Sequence, residues 1–153
     1  MNERTLFMQT TKIEAGKTIA EITALLVAHG AQGVIIEYEQ QEVLAMSFRV
    51  IIRGVPLSFR MPCRWQPVEI LFKKRGVHQR DQEERARQAK RTAWRQVLRW
   101  AQAQPAMVEV GMVEIEEVFL PYLQDNRGKT LYGVLRDRDF AGFLPAPAGP
   151  EKK

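Results

Sequence analysis

The chain has 153 residues, 45% of them hydrophobic and 27% charged, with a formal net charge of +5. That is long enough for one domain with a real core, and the composition excludes a disordered chain. No apolar run approaches the roughly 20 residues of a bilayer span, no leader-like segment follows Met1, and Cys63 is the sole cysteine, so a soluble protein of the reducing cytoplasm is expected.

Residues 5–11 (Thr5-Leu6-Phe7-Met8-Gln9-Thr10-Thr11) are rich in β-formers and predict a first strand. Thr18 and Glu21 have capping-box spacing, Ile19, Ile22, Leu25 and Leu26 follow at helical intervals, and Gly30 suits a helix end, which predicts a helix over 18–29. Leu44, Met46, Phe48, Val50 and Ile52 alternate, as do Val55, Leu57, Phe59 and Met61. A two-residue turn at Arg53-Gly54 sets Ile52 opposite Val55, Val50 opposite Leu57, Phe48 opposite Phe59 and Met46 opposite Met61, all apolar pairs. Val34, Ile36 and Tyr38 join the same face if Gln40-Gln41-Glu42 forms a three-residue loop, completing an antiparallel meander over 33–62.

Pro67 suits the first turn of a short helix through Lys74, and Gly76 breaks it. Asp81 with Glu84 predicts the start of a long helix to Gln104, with Ala86, Ala89, Ala93, Val97 and Trp100 as its apolar stripe and Pro105 as a break or kink. A helix over 113–123 ending near Pro121 follows, then a short helix or strand over 130–135. The fold class is α+β: a three- to four-stranded antiparallel meander packed against helices, in the order β-α-β-β-β-α-α. Residues 1–144 make a single domain, and the Pro- and Gly-rich 145–153 a disordered C-terminal tail.

The functional signal is cationic. Between Lys73 and Trp100, ten Lys and Arg face only Asp81, Glu83 and Glu84, a local excess of +7 against +5 for the whole chain. Arg87, Arg91, Arg95 and Arg99 recur every fourth residue, so they stay on one side of a helix, joined by Lys90. Guanidinium groups suit phosphates because each donates two parallel hydrogen bonds. On the sheet, Ser47, Arg49, Arg53, Ser58 and Arg60 fall opposite the apolar face, a basic, hydroxyl-bearing surface able to track a nucleic-acid backbone but without stacking aromatics of its own. Trp65, after Arg64 at the strand exit, is the candidate for base stacking.

Catalytic patterns are incomplete. The Gly-Lys-Thr triplets at 16–18 and 128–130 lack the first glycine of a phosphate loop, which would stand at Thr11 and Leu123. His29, His78 and Cys63 share no metal-ligand spacing, and His29 suits the helix C-terminus. Cys63 next to Arg64 suggests a lowered thiol pKa. Glu114, Glu116, Glu117, Asp137 and Asp139 form no nuclease pattern, whose only D/E-x-K match is Glu151-Lys152-Lys153. No catalytic residue, metal or cofactor is expected.

Lys17–Gly30, the strands, Arg60-Met-Pro-Cys63 and Ala93-Trp94-Arg95 together resemble short proteins encoded by bacterial phages and prophages, which implies a role near DNA replication or recombination. The α-β-β-β-α order, with Ala89-Lys90-Arg91-Thr92-Ala93 in the last helix, is similar to double-stranded RNA-binding domains, where an A-K-x-x-A run meets phosphates. This chain differs in the stretch of about 20 residues after the third strand and in lacking a lysine pair before Ala89. The same order also occurs in single-strand annealing proteins. The expectation is a non-enzymatic nucleic-acid-binding accessory protein, with DNA favoured over RNA and single strands foremost, in phage or mobile-element replication or recombination. The alternative is an interaction scaffold forming a homo-oligomer through the apolar segment Met107–Leu123.

Overall fold

A computed structural model describes residues 4–145. Helix α1 spans Ala15–Ala28, followed by strands β1 (Gly33–Glu39), β2 (Glu42–Ile52) and β3 (Val55–Arg60), then helices α2 (Gln66–Lys74), α3 (Gln82–Glu109) and α4 (Ile115–Phe119), a 3-10 turn at Leu120–Tyr122, and α5 (Leu131–Asp137). The class is α+β, with one antiparallel sheet in the order β1-β2-β3.

The expected first strand over 5–11 is instead a turn, and the order begins with a helix. Residues 7–11 have a different partner for their backbone. Gln88 Nε2 donates to the carbonyls of Gln9 and Thr11 at 2.8 Å, the Thr92 hydroxyl to Met8, and Gln96 Nε2 to Phe7 at 2.8 Å. These three side chains recur every fourth residue on α3 and hold the segment as loop, with Met8 in the left-handed region at φ 64°.

Helix α1 starts three residues before the expected position, and Thr18 and Glu21 do not cap it. Both turn toward α3, where Arg95 Nη1 donates to Thr18 Oγ1 at 3.3 Å and Glu21 Oε2 at 2.8 Å. The other end follows the sequence. Gly30, at φ 100°, lets its N–H reach Val27 O at 3.2 Å and the Ala31 N–H reach Leu26 O at 2.9 Å, the two bonds of a Schellman stop.

The β2–β3 hairpin has the expected register, with Phe48 opposite Phe59 and Ile52 opposite Val55. Its turn, Arg53 at φ 51° and Gly54 at φ 80°, has the positive angles of type I′. The β1–β2 connection differs in detail. The turn has two residues, Gln40 and Gln41, and the odd residue sits within the strand as a bulge at Leu44, between the pairs Glu37–Ala45 and Tyr38–Val43. Parity is thereby kept, so Val34 and Ile36 still share a face with Phe48 and Met46, while Leu44 is half exposed rather than in the core.

Helix α2 has its proline in the first turn, and the Asp81 carboxylate caps α3 by accepting from the Glu84 N–H at 3.0 Å. Helix α3 runs through Pro105 to Glu109 instead of stopping at Gln104, with the Gln104 amide donating to the Trp100 carbonyl at 3.1 Å beside the lost backbone bond. The helix expected over 113–123 is confined to Ile115–Phe119 before tightening into the 3-10 turn. The segment expected as short helix or strand over 130–135 is helix from Leu131, with Thr130 as its cap, the hydroxyl accepting from the Gly133 N–H at 3.2 Å. The predicted tail lies, apart from Pro145, outside the described residues.

Ile19, Ile22, Leu26, Met46, Phe48, Val50, Phe59, Met61, Trp94, Leu98 and Phe119 form one cluster, uniting α1, α3 and α4 with the inner face of the sheet. Phe48 stacks on Phe59 at 5.3 Å, and Phe119 meets Phe48 edge-on at 5.1 Å and Trp100 at 5.4 Å. Helix α2 packs on α3 through the fully buried Phe72. The helices of the core therefore lie on one side of the sheet. At its β3 edge, Leu123 bridges to Phe59 and the Gln124 N–H donates to Ser58 O at 2.8 Å.

Candidate nucleic-acid interface

A four-residue step on a helix overshoots a full turn by about 40°, so the arginine row of α3 winds as it proceeds. It passes beneath α1, and α1 supplies counter-charges. Arg91, only 12% exposed, pairs with Glu14 and with Glu84 at 3.2 Å. Arg87 pairs with the same two carboxylates at 3.0 and 4.0 Å, but its own side chain is exposed. The hydrogen bond from Arg91 holds the Glu14 carboxyl below its usual range, aided by Arg87, and the same bond raises Arg91. Arg95, 8% exposed, is held by Glu21. Lys90 reaches Glu42 at 2.6 Å and lies 4.7 Å over the Trp65 ring, so a cation already occupies one face of that indole. Within the row, and among the described residues, only Arg99 faces solvent with no acid beside it, its guanidinium donating to Gln102 at 2.9 Å. Arg85, outside the predicted set, is buried beside Glu69 at 3.7 Å.

The outer sheet face is arranged differently. Alternation and register place Ile35, Ser47 and Arg60 in one cross-strand row, Gly33, Arg49 and Ser58 in the next, and Ile51 and Pro56 beyond. Arg60 pairs with Glu37 at 3.2 Å. Arg49 and the turn residue Arg53 are exposed, and among the described residues neither guanidinium group makes a hydrogen bond or ion pair. Among the described residues no helix covers this face at Ile35, 63% exposed, or at Ile51, whereas Ala45 and Ser47 on it are buried.

Tertiary structure adds aromatics at the end of the same face. A cavity of about 530 Å³ is lined by Arg60, Arg64, Gln66, Tyr122, Thr130 and Tyr132. The two tyrosines come from the segment that follows α4, about 60 residues from the strands in sequence, and Tyr132 is 47% exposed. Sequence patterning has no signal for this approach, because it depends on how residues 120–132 return to the β3 edge.

The remaining motifs take structural places. Gly16-Lys17-Thr18 lies inside α1 rather than in a loop before it. Lys129 of the second triplet pairs with Asp137 and holds its carboxyl low. Burial pushes the Cys63 thiol up to about 12, the reverse of the lowering expected from its neighbour Arg64. Among the described residues no three His, Cys, Asp or Glu side chains converge, and no helix is long and apolar enough to cross a membrane. In the Met107–Leu123 segment, Phe119 is buried in the protein's own core and Ile115 and Val118 pack against it, while Val110 and Met112 are exposed. Comparison with protein families, with curated proteins and with solved structures finds no match.

Proposed function

We propose that the protein is a non-enzymatic nucleic-acid-binding accessory protein that engages single strands, DNA foremost, on the outer face of its sheet. One observation carries the reading: Arg49 and Arg53 stand on an uncovered face with no acidic partner, whereas the helix cations Arg87, Lys90, Arg91 and Arg95 are held by Glu14, Glu84, Glu42 and Glu21. Ser58 stands opposite Arg49 and Ser47 two residues before it on the same face, and Tyr132, 47% exposed on the neighbouring cavity with Phe140 and Arg136 against its ring, supports stacking of an unpaired base. A role in phage or mobile-element replication or recombination fits such a ligand.

Fluorescence anisotropy of a labelled single-stranded oligonucleotide over a salt series is the test. Each neutralised phosphate contributes about 0.7 to the slope of log affinity against log salt on single strands. The Arg49→Gln/Arg53→Gln double variant should lower that slope by about 1.4, and Arg87→Gln should leave it near the wild-type value. Absence of binding at low salt, or an undiminished slope in the double variant, refutes the reading.

Self-association is the second reading, favoured at a different place from Met107–Leu123. Among the described residues the outer edge of β1 has no strand beside it, and an apolar groove lined by Ala20, Ala24, Val27, Ile36, Tyr38 and Val43 runs between it and α1. Light scattering decides: a strict monomer at high concentration removes this reading.

A further inference from the structure

The polar groups at the centre of the outer face form a small cradle. Ser47 is 4% exposed, yet its hydroxyl has no hydrogen-bond partner. A buried polar group without a partner is rare and destabilising, and calls for an explanation. Ser47 helps line a pocket of about 150 Å³ with Gly33, Ile35, Arg49, Ser58 and Gln124, the volume of about five waters. Gly33 stands opposite Arg49, and the guanidinium lies across it: a Cβ built there would come within 3.9 Å of the Arg49 Nη2. Gln124 spends one amide donor on the Gly128 carbonyl at 3.1 Å and keeps its second. Glu37, which shares this face, is engaged by Arg60. Arg49, Ser47, Ser58 and Gln124 therefore line one pocket, and no carboxylate is among its lining residues.

We propose that this cradle is the seat of one phosphate group, bound by the Arg49 guanidinium, the Ser47 and Ser58 hydroxyls and the free Gln124 amide proton. The proposal rests on the nucleic-acid reading for its natural ligand, a backbone phosphate of a single strand, but its chemistry is that of any tetrahedral oxyanion of this size. A charged, planar donor fork with two hydroxyls distinguishes phosphate from chloride by geometry rather than by charge alone.

The test is a titration of the full-length protein with inorganic phosphate against chloride at constant ionic strength, followed by amide resonances. Saturable shifts at Ser47, Ser58 and Gln124 are expected, with affinity lowered roughly ten- to a hundredfold by Arg49→Gln, the loss of a charged hydrogen bond. Gly33→Val keeps every polar group, has an ordinary strand conformation available, and extends methyl groups toward the guanidinium beyond a Cβ already in van der Waals contact with it, so it should weaken phosphate as well. Absence of saturable shifts at these residues, or equal affinity in wild type, Arg49→Gln and Gly33→Val, overturns the seat. Oligonucleotide anisotropy is measured in parallel. Phosphate binding here without oligonucleotide binding supports the seat and overturns the nucleic-acid reading. Oligonucleotide binding with no phosphate response does the reverse.

Discussion

Arg95 is the decisive residue for separating a structural cation from a phosphate contact. Its side chain is 8% exposed and that of Glu21 36%, and it joins α3 to α1 through Thr18 and Glu21. Glu21→Ala leaves a charged guanidinium buried with no counter-charge. Breaking a fully buried pair this way costs about 3–5 kcal/mol. Glu21 is partly solvated, so the loss here is about 2 kcal/mol. Arg95→Met removes the buried charge together with an Nε that has no hydrogen-bond partner, and the stem packs as before, so stability should stay within about 1 kcal/mol of wild type. Urea unfolding followed by the fluorescence of the neighbouring Trp94 measures both. With m near 2 kcal/mol/M, Glu21→Ala lowers the midpoint by about 1 M and Arg95→Met by less than about half that. If Arg95→Met costs as much as Glu21→Ala, the desolvation argument fails. If Arg95→Met also abolishes oligonucleotide binding while remaining folded, Arg95 belongs to the contact surface after all.

Three further outcomes follow from local geometry and titration. Gln40 and Gln41 adopt φ 48° and 70° in a two-residue turn, so Gln40→Asn/Gln41→Gly should raise stability by about 1 kcal/mol; an unchanged or lower urea midpoint counts against the assigned turn. The depressed Glu14 carboxyl stabilises the fold at pH above the unfolded carboxylate value near 4.5 and loses that contribution as pH falls through the folded value. The midpoint should therefore drop between pH 6 and pH 3, and by less in Glu14→Gln; an identical drop in both proteins removes Glu14 as a cause. With its thiol raised to about 12, native Cys63 should react with a disulfide reagent at pH 8 far more slowly than in urea, and equal rates would show that burial does not protect it.

Local patterns determined a good part of this protein from sequence. Alternation and parity set the β2–β3 register and the inner face, the Gly30 stop and the Asp81 cap fixed helix ends, and Pro67 marked the start of α2, because each involves groups a few residues apart. The outer-face residues Arg49, Arg53, Ser58 and Arg60 were legible for the same reason. Tertiary structure decided the rest. The β-forming 5–11 became a loop because Gln88, Thr92 and Gln96 supplied donors for its carbonyls. Arg91 and Arg95 became structural because Glu14 and Glu21, more than 70 residues earlier, lie against α3. Helical periodicity tells which cations share a side, whereas Coulomb pairing depends on distances in space, and a carboxylate brought close by folding has no mark in the sequence around its partner.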